Sequence, residues 1–266
     1  MIEENMTKAV TLAKKVLGIH SQQGVRPLHN LIHVGSEVHG YCIPANFLDE
    51  SSVCYCVGAG EDVSFDTELN VLYGSQVFIF DPTPEGINHF KNLREYTEAG
   101  QPLTITRGSS FTYRISREQL DKVTFVDIGV WDSKTTLKFY DPEREGYASH
   151  SVYLFTDSKT YIEAPVDRLS SLMQTLGHSH IDLLKLEIEG AEYTVIDTIV
   201  DDNVDVKVIL VEFDEVHNAS DKRFHFRIKN ACNKLKKAGY VLVHSSESMK
   251  RTFVRKDVYE RLNGNA

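Results

Sequence analysis

Short, continuously apolar runs alternate with helical stripes through most of this chain, and that alternation leaves few folds open. Val53-Cys54-Tyr55-Cys56-Val57 runs into Gly58-Ala59-Gly60, after which Phe65, Leu69 and Leu72 recur at helical spacing up to Gly74. Val77-Phe78-Ile79-Phe80 is a second such run and ends at Asp81, with Thr83 placed to cap the next helix and Pro84 as its first residue. Ile181 to Leu186 leads into Glu189-Gly190 and a helix carrying Val195, Ile196, Ile199 and Val200 on one face. Residues 208 to 211 end at Glu212. The stripe Phe224, Ile228, Ala231, Leu235, Ala238 closes at Gly239 before a run over 240 to 243, and residues 252 to 255 offer a last antiparallel strand. Apolar runs of this kind mark strands covered on both faces. The expected class is therefore α/β, a doubly wound, mostly parallel, Rossmann-like sheet whose ligands lie beyond the carboxyl ends of its strands.

Two segments stand outside this pattern. Met6, Ala9, Val10, Ala13, Val16 and Leu17 predict an amphipathic N-terminal helix, and Gly35, Gly40 and Pro44 punctuate a small β excursion over residues 31 to 45. We expect residues 1–50 to form this extension and residues 51–266 the main domain. Between Asp81 and Ile181 lie about a hundred residues, far more than the dozen or so a crossover needs, so a β-rich insertion is expected over about 100–180. Residues 123 to 130 read as one strand within it, and residues 135 to 140 alternate before the Asp141-Pro142 turn. Leu169, Leu172, Met173 and Leu176 form a short helical stripe that stops at Gly177.

A formal charge of −9 repels a polyphosphate backbone, so nucleic acid is not the expected partner. Glu3 and Glu4 stand where a secretory signal would be basic, and no apolar run reaches membrane-spanning length, which predicts a cytoplasmic protein with no membrane span. Cys42, Cys54, Cys56 and Cys232 lack the two-residue gap of a zinc knuckle and read as buried free thiols.

Gly58 and Gly60 occupy the first strand-to-helix turn, where glycine lets a ligand approach the backbone. Asp81 follows Gly60 by 21 residues at the end of the second strand, a separation suited to accepting hydrogen bonds from a ribose. A dinucleotide site wants a third glycine where this chain has Val63, and Glu61 and Asp62 would oppose a pyrophosphate. S-adenosylmethionine carries a sulfonium, an ammonium and no phosphate, so it suits an acidic turn.

These residues, with others spread over the chain, resemble the FkbM family of methyltransferases. Val57-Gly58-Ala59-Gly60-Glu61-Asp62-Val63-Ser64-Phe65-Asp66 is similar to its cofactor loop, and Phe80-Asp81-Pro82-Thr83-Pro84 to the end of its second strand. Leu184-Lys185-Leu186-Glu187-Ile188-Glu189-Gly190-Ala191-Glu192 resembles its most recognisable motif, with glutamate at 187 where aspartate is usual. Gly129-Val130-Trp131, Leu137-Lys138-Phe139-Tyr140 and Ser149-His150-Ser151 are similar to weaker segments. The resemblance implies S-adenosylmethionine binding by Gly58, Ala59, Gly60, Glu61, Asp81, Pro82 and Gly129, and methylation of a hydroxyl on a small molecule or glycan, a sugar being favoured.

Read from the residues alone, Leu183, Lys185 and Glu187 share one strand face, and the covered Lys185 needs a carboxylate. Glu187, Glu189 and Glu212 fall at the ligand-facing rim. Glu187, Glu189 and His150 are the candidate catalytic residues, to orient the acceptor and remove its proton. A divalent metal held by Glu187, Glu212 and His217 is the less favoured alternative. Trp131 and Tyr140 are candidates for a sugar platform or for core packing. Two other functions remain open on this fold, an NAD-dependent oxidoreductase and a non-catalytic nucleoside-binding module.

Overall fold

The computed structural model describes residues 24–141, 150–152, 160–213, 223–246 and 250–264. The expected helix over residues 6 to 17 lies outside them. The chain opens with a hairpin, β1 (Leu31–Val34) and β2 (Tyr41–Pro44). It then alternates β3 (Val53–Val57), α1 (Ser64–Tyr73), β4 (Gln76–Phe80) and α2 (Pro84–Glu98). A second hairpin, β5 (Thr104–Arg107) and β6 (Ser109–Thr112), and the short α3 (Arg117–Leu120) precede β7 (Val123–Val126). Three further strands, β8 (Gly129–Trp131), β9 (Thr135–Tyr140) and β10 (Tyr161–Arg168), lead to α4 (Leu169–Leu176) and β11 (Ile181–Leu186). The chain closes with α5 (Glu192–Asp201), β12 (Val206–Glu212), α6 (Phe224–Lys237), β13 (Tyr240–Ser245), β14 (Lys250–Arg255) and α7 (Lys256–Gly264).

Seven strands form one sheet in the order β13-β14-β12-β11-β3-β4-β7. All neighbouring pairs from β12 to β7 are parallel, and only β14 runs against its neighbours. The strand order reverses between β3 and β11, so the crevice at their carboxyl ends is where this Rossmann-like fold holds a ligand. Both faces are covered, as the apolar runs require. Tyr55, Val57, Leu184, Leu186, Ile209 and Val211 enter one core with α4, α5 and α6, while Cys54, Cys56, Leu183, Val208 and Leu210 enter the other with α1 and α2. The first hairpin belongs to this second core through Val34, Tyr41 and Ile43. Thr252 Oγ1 ties it to the sheet by donating to the Cys42 carbonyl at 2.6 Å.

Two expectations are corrected. Residues 123 to 130 are not one strand, because the chain leaves the main sheet at Val126 and starts β8 in a separate three-stranded sheet, β8-β10-β9. The exposed Asp127 stands at the break, but a single charged residue within an otherwise apolar run reads equally well as an outward-facing strand position. β7 is thus the third parallel strand in chain order, ahead of β11, and the excess chain is shared between a hairpin before β7 and the small sheet after it. Leu72 departs from the predicted stripe and is 54% exposed, whereas Phe65 and Leu69 are buried. Val71 and Tyr73 on either side of it pack on the core, so Leu72 faces solvent, and Gly74 ends the helix in the left-handed conformation at φ 71°.

Gly58 has φ 90°, and a Cβ there would lie 1.9 Å from the Glu187 carbonyl oxygen, so β3 and β11 can approach only over a glycine. Gly60, at φ 49°, would have nothing within 4 Å of an added Cβ. Gly58→Ala should therefore lower stability by about 3 kcal/mol or more, roughly 10 °C in Tm. Gly60→Ala should cost about 1–2 kcal/mol, and equal melting temperatures for the two variants would refute this difference.

Candidate functional site

The carboxyl ends of β3, β4 and β11 form one wall of a cleft that encloses about 500 Å³, part of it open to solvent. Gly58, Asp81, Pro82, Glu187, Ile188, Glu189 and Ala191 line this wall. The small sheet and its connections form the other, with Gly129, Val130, Trp131, Phe139, His150, Val152 and Val166. Ala59, Gly60 and Glu61 lie on the same turn as Gly58 but not in the cleft wall.

Asp81 is buried and organises this turn. Its Oδ2 accepts from the Ala59 and Gly60 amides at 2.8 and 2.9 Å, and its Oδ1 from the Thr83 amide and hydroxyl at 2.8 and 2.6 Å. Four donors fill the roughly four lone-pair sites of a carboxylate, so a ligand hydroxyl reaching Asp81 must displace one of them. The amino end of α1 is also occupied. Asp62 accepts from the Ser64 amide at 2.8 Å and from the Ser36 hydroxyl at 2.9 Å, which puts a carboxylate and the β1–β2 loop where a dinucleotide fold receives phosphate. Among the described residues the cleft wall carries Asp81, Glu187 and Glu189 and no Lys or Arg. That donor set fits a cationic nucleoside without phosphate, and does not fit a diphosphate.

Glu187 is the hub of a buried charge network. Lys185 Nζ stands 3.6 Å from its Oε2 and 3.2 Å from Asp66 Oδ1, which supplies from α1 the second carboxylate that a covered lysine needs. Tyr41 donates its hydroxyl to Glu187 Oε2 at 3.2 Å, and His39 Nδ1 lies 3.6 Å from Oε1. Burial works against the charge, but Lys250 and Lys185 hold the Glu187 carboxyl well below the ordinary range. A carboxylate so held retains its charge and is a weak proton acceptor, which alters the role expected of it. Glu212 does not line the cleft. Burial first, and then the Glu187 charge, raise its carboxyl to about 8. Lys250 Nζ, 3.2 Å from Glu212 and 3.9 Å from Glu187, stands between the two acids where the metal alternative would put an ion. Among the described residues no three His, Cys, Asp or Glu side chains are grouped to hold a metal, and His217 lies outside those residues.

His150 sits in the opposite wall with its side chain only 6% exposed, not in an exposed loop as a lone histidine between serines suggests. Its Nε2 is 2.9 Å from Asp141 Oδ1, while Nδ1 faces Glu85 Oε2 at 3.4 Å without a hydrogen bond. Glu189 takes φ 51°, and its carbonyl accepts from the Ser151 hydroxyl at 2.8 Å, which ties the two walls together. Trp131 reaches the cleft; Tyr140 instead packs against Tyr161 with ring centroids 5.9 Å apart. His178 is far from the cleft chemistry, bonded to the Tyr55 hydroxyl at 2.7 Å.

Residues 45–242 match the family model described as the methyltransferase FkbM domain. The chain belongs to the FkbM family of methyltransferases. A comparison with curated protein sequences gave no significant match. Among solved structures, this FkbM chain is similar to precorrin-6y C5,15-methyltransferase from Geobacter metallireducens, at 13% identity over 80% of this chain and 83% of that one, with a TM-score of 0.41. It is similar to the fibrillarin pre-rRNA processing protein of Methanococcus jannaschii, at 9% identity over 87% and 85% of the two chains, TM-score 0.41. The N-terminal domain of human METTL16 in complex with SAH matches at 10% identity over 78% of this chain and 63% of that one, TM-score 0.40.

Several residues of this FkbM site were invisible to sequence reasoning. Tyr41, Asp66 and Lys250 come from three distant segments, and only Lys185, an unpaired cation in an apolar run, signalled that partners existed. Glu192 was quoted within the family motif without a role. It is fully buried and its Oε1 accepts from the Ile188 and Gly190 amides at 3.0 and 3.2 Å, fixing the turn that carries Glu189. Burial raises the Glu192 carboxyl to about 8. A folded-state value raised above the ordinary 4.5 contributes stability that is complete below that value and is lost as pH rises through about 8. Glu192→Gln keeps the acceptor oxygen and removes the titration, so its Tm relative to wild type should climb between pH 5 and pH 9. A difference that stays constant across this range would refute the shift.

Proposed function

We propose that this chain is an S-adenosylmethionine-dependent O-methyltransferase whose acceptor is a hydroxyl of a small molecule or glycan, most simply a sugar. The observation that carries this reading is His150 Nδ1, a buried nitrogen with no hydrogen-bond partner in the wall of the cleft at the sheet's reversal point. The cofactor, when bound, supplies an activated methyl group. The turn from Gly58 to Gly60, shaped by Asp81, with Pro82 and Gly129, would hold it, and Glu187 gives that wall a permanent negative charge.

Asp141 at Nε2 fixes the His150 tautomer that leaves Nδ1 as an acceptor, and it stabilises the imidazolium formed when Nδ1 takes the acceptor's proton. Trp131, Phe139 and Val152 exclude water and offer an apolar face to a sugar ring. Glu189 orients the acceptor from the turn after β11. A charge of −9 and an acidic cleft support an uncharged acceptor over a polyphosphate. Among the described residues no helix is long and apolar enough to cross a membrane.

Three measurements test this. Calorimetry should show binding of S-adenosylmethionine and S-adenosylhomocysteine and none of NAD; the reverse result would overturn the cofactor reading. With methyl-labelled cofactor, label should pass to a member of a panel of glycosides and polyols and not to RNA oligonucleotides, and transfer to RNA alone would overturn the acceptor reading. His150→Ala should cut turnover by about a hundredfold or more while cofactor affinity stays within about twofold.

A further inference from the structure

Lys250 lies outside the family match, on the one strand that runs against the sheet, and yet its ammonium approaches Glu187, a carboxylate of the cleft wall. Its side chain is 8% exposed and has no hydrogen-bond partner at Nζ. It is fixed instead by charge and shape, 3.2 Å from Glu212 Oε2, 3.9 Å from Glu187 Oε1 and 4.4 Å above the Tyr41 ring. Tyr41 in turn donates to Glu187, so the hairpin and β14 converge on a single carboxylate.

From this convergence we propose that Lys250 and Tyr41 are positioning residues that fix the Glu187 carboxylate, as an oriented anion, in the cofactor side of the cleft. Three observations support it. Removing a buried carboxylate from water is costly unless cations compensate, and Glu187 is approached by two lysines, Lys185 beneath it in the strand and Lys250 from the side. Lys185 is shared with Asp66, so it does not neutralise Glu187 alone. A glutamate side chain has three rotatable bonds, and without lateral contacts its carboxylate would sample several rotamers. Tyr41 at Oε2 and Lys250 at Oε1 grip the two oxygens separately, which selects one orientation. Among the described residues, the groups facing Glu187 are His39 and Tyr41 from the hairpin, Asp66 from α1, Lys185 from β11, Glu212 from β12 and Lys250 from β14.

The inference rests on the cofactor reading for its functional consequence, and the experiment separates the two. Calorimetry of S-adenosylmethionine with the full chain is run on wild type, Lys250→Met, Lys250→Arg, Glu187→Gln and the double variant Lys250→Met/Glu187→Gln. Lys250→Met should weaken binding about tenfold, Lys250→Arg should recover most of it, and Lys250→Met should change little once Glu187 is already Gln. Equal losses in both backgrounds would overturn the proposal, since Lys250 would not act through Glu187. A wild type that fails to bind would refute the cofactor reading alone. In that case the positioning claim is decided without ligand, by carbon-13 NMR titration of the Glu187 carboxyl. Its titration should move to higher pH in Lys250→Met and, if that variant does not fold, in Tyr41→Phe; no movement would overturn the claim.

Discussion

The ion pair of Lys185 with Asp66, deep in the sheet, is the constraint on which the site depends. Both groups are almost without solvent contact, and breaking such a pair by removing one partner costs about 3–5 kcal/mol because it strands the other charge. Desolvation alone would push the Lys185 ammonium down, but Asp66 and Glu187 outweigh it and hold the group charged. The pair therefore fixes α1 against β11, and through α1 it fixes the glycine turn that precedes it. Two residues beyond Lys185, Glu187 meets the same ammonium at the cleft. Stability and site chemistry thus share one cation.

A consequence is the division of labour among the acids. Asp81 is consumed by backbone amides and shapes the turn. Asp62 occupies the helix end. Glu192 closes the turn after β11, and Glu212 stands behind Lys250. Among the described residues, Glu187 faces the cleft from this wall with its carboxylate held by side chains, Tyr41 and the two lysines, and not by backbone amides. In the proposed reaction the proton-accepting role falls to the opposite wall, where His150 lies between Asp141 and Glu85. That proposal assigns methyl donor and proton acceptor to different structural layers, the first to the main sheet and the second to the three-stranded sheet with its connections.

Much of this was legible in the sequence because it depends on local rules. Continuous apolar runs predicted parallel strands covered on both faces; Gly58 and Gly60 marked the turn; Thr83 with Pro84, and Gly74, Gly177 and Gly239, marked helix ends. The rim position of Glu187 and Glu189 followed from the strand period. What failed was boundary and partnership. The division of residues 123 to 130 between two sheets is marked by one exposed acid, Asp127, which periodicity does not distinguish from an ordinary strand position, and the partners of His150, Glu85 and Asp141, are set by the docking of the small sheet.

The sequence by itself determined the fold class, the direction of the sheet, the place of the ligand crevice and the family, since propensity, periodicity and turn chemistry act over a few residues. Tertiary structure alone decided that β14 inserts between β12 and β13, bringing Lys250 beside Glu187, and that the first hairpin lays Tyr41 across the same carboxylate. Those contacts join residues up to 146 positions apart. No local rule encodes them, because a buried charge is satisfied by whichever segment the packing of the whole sheet carries to it.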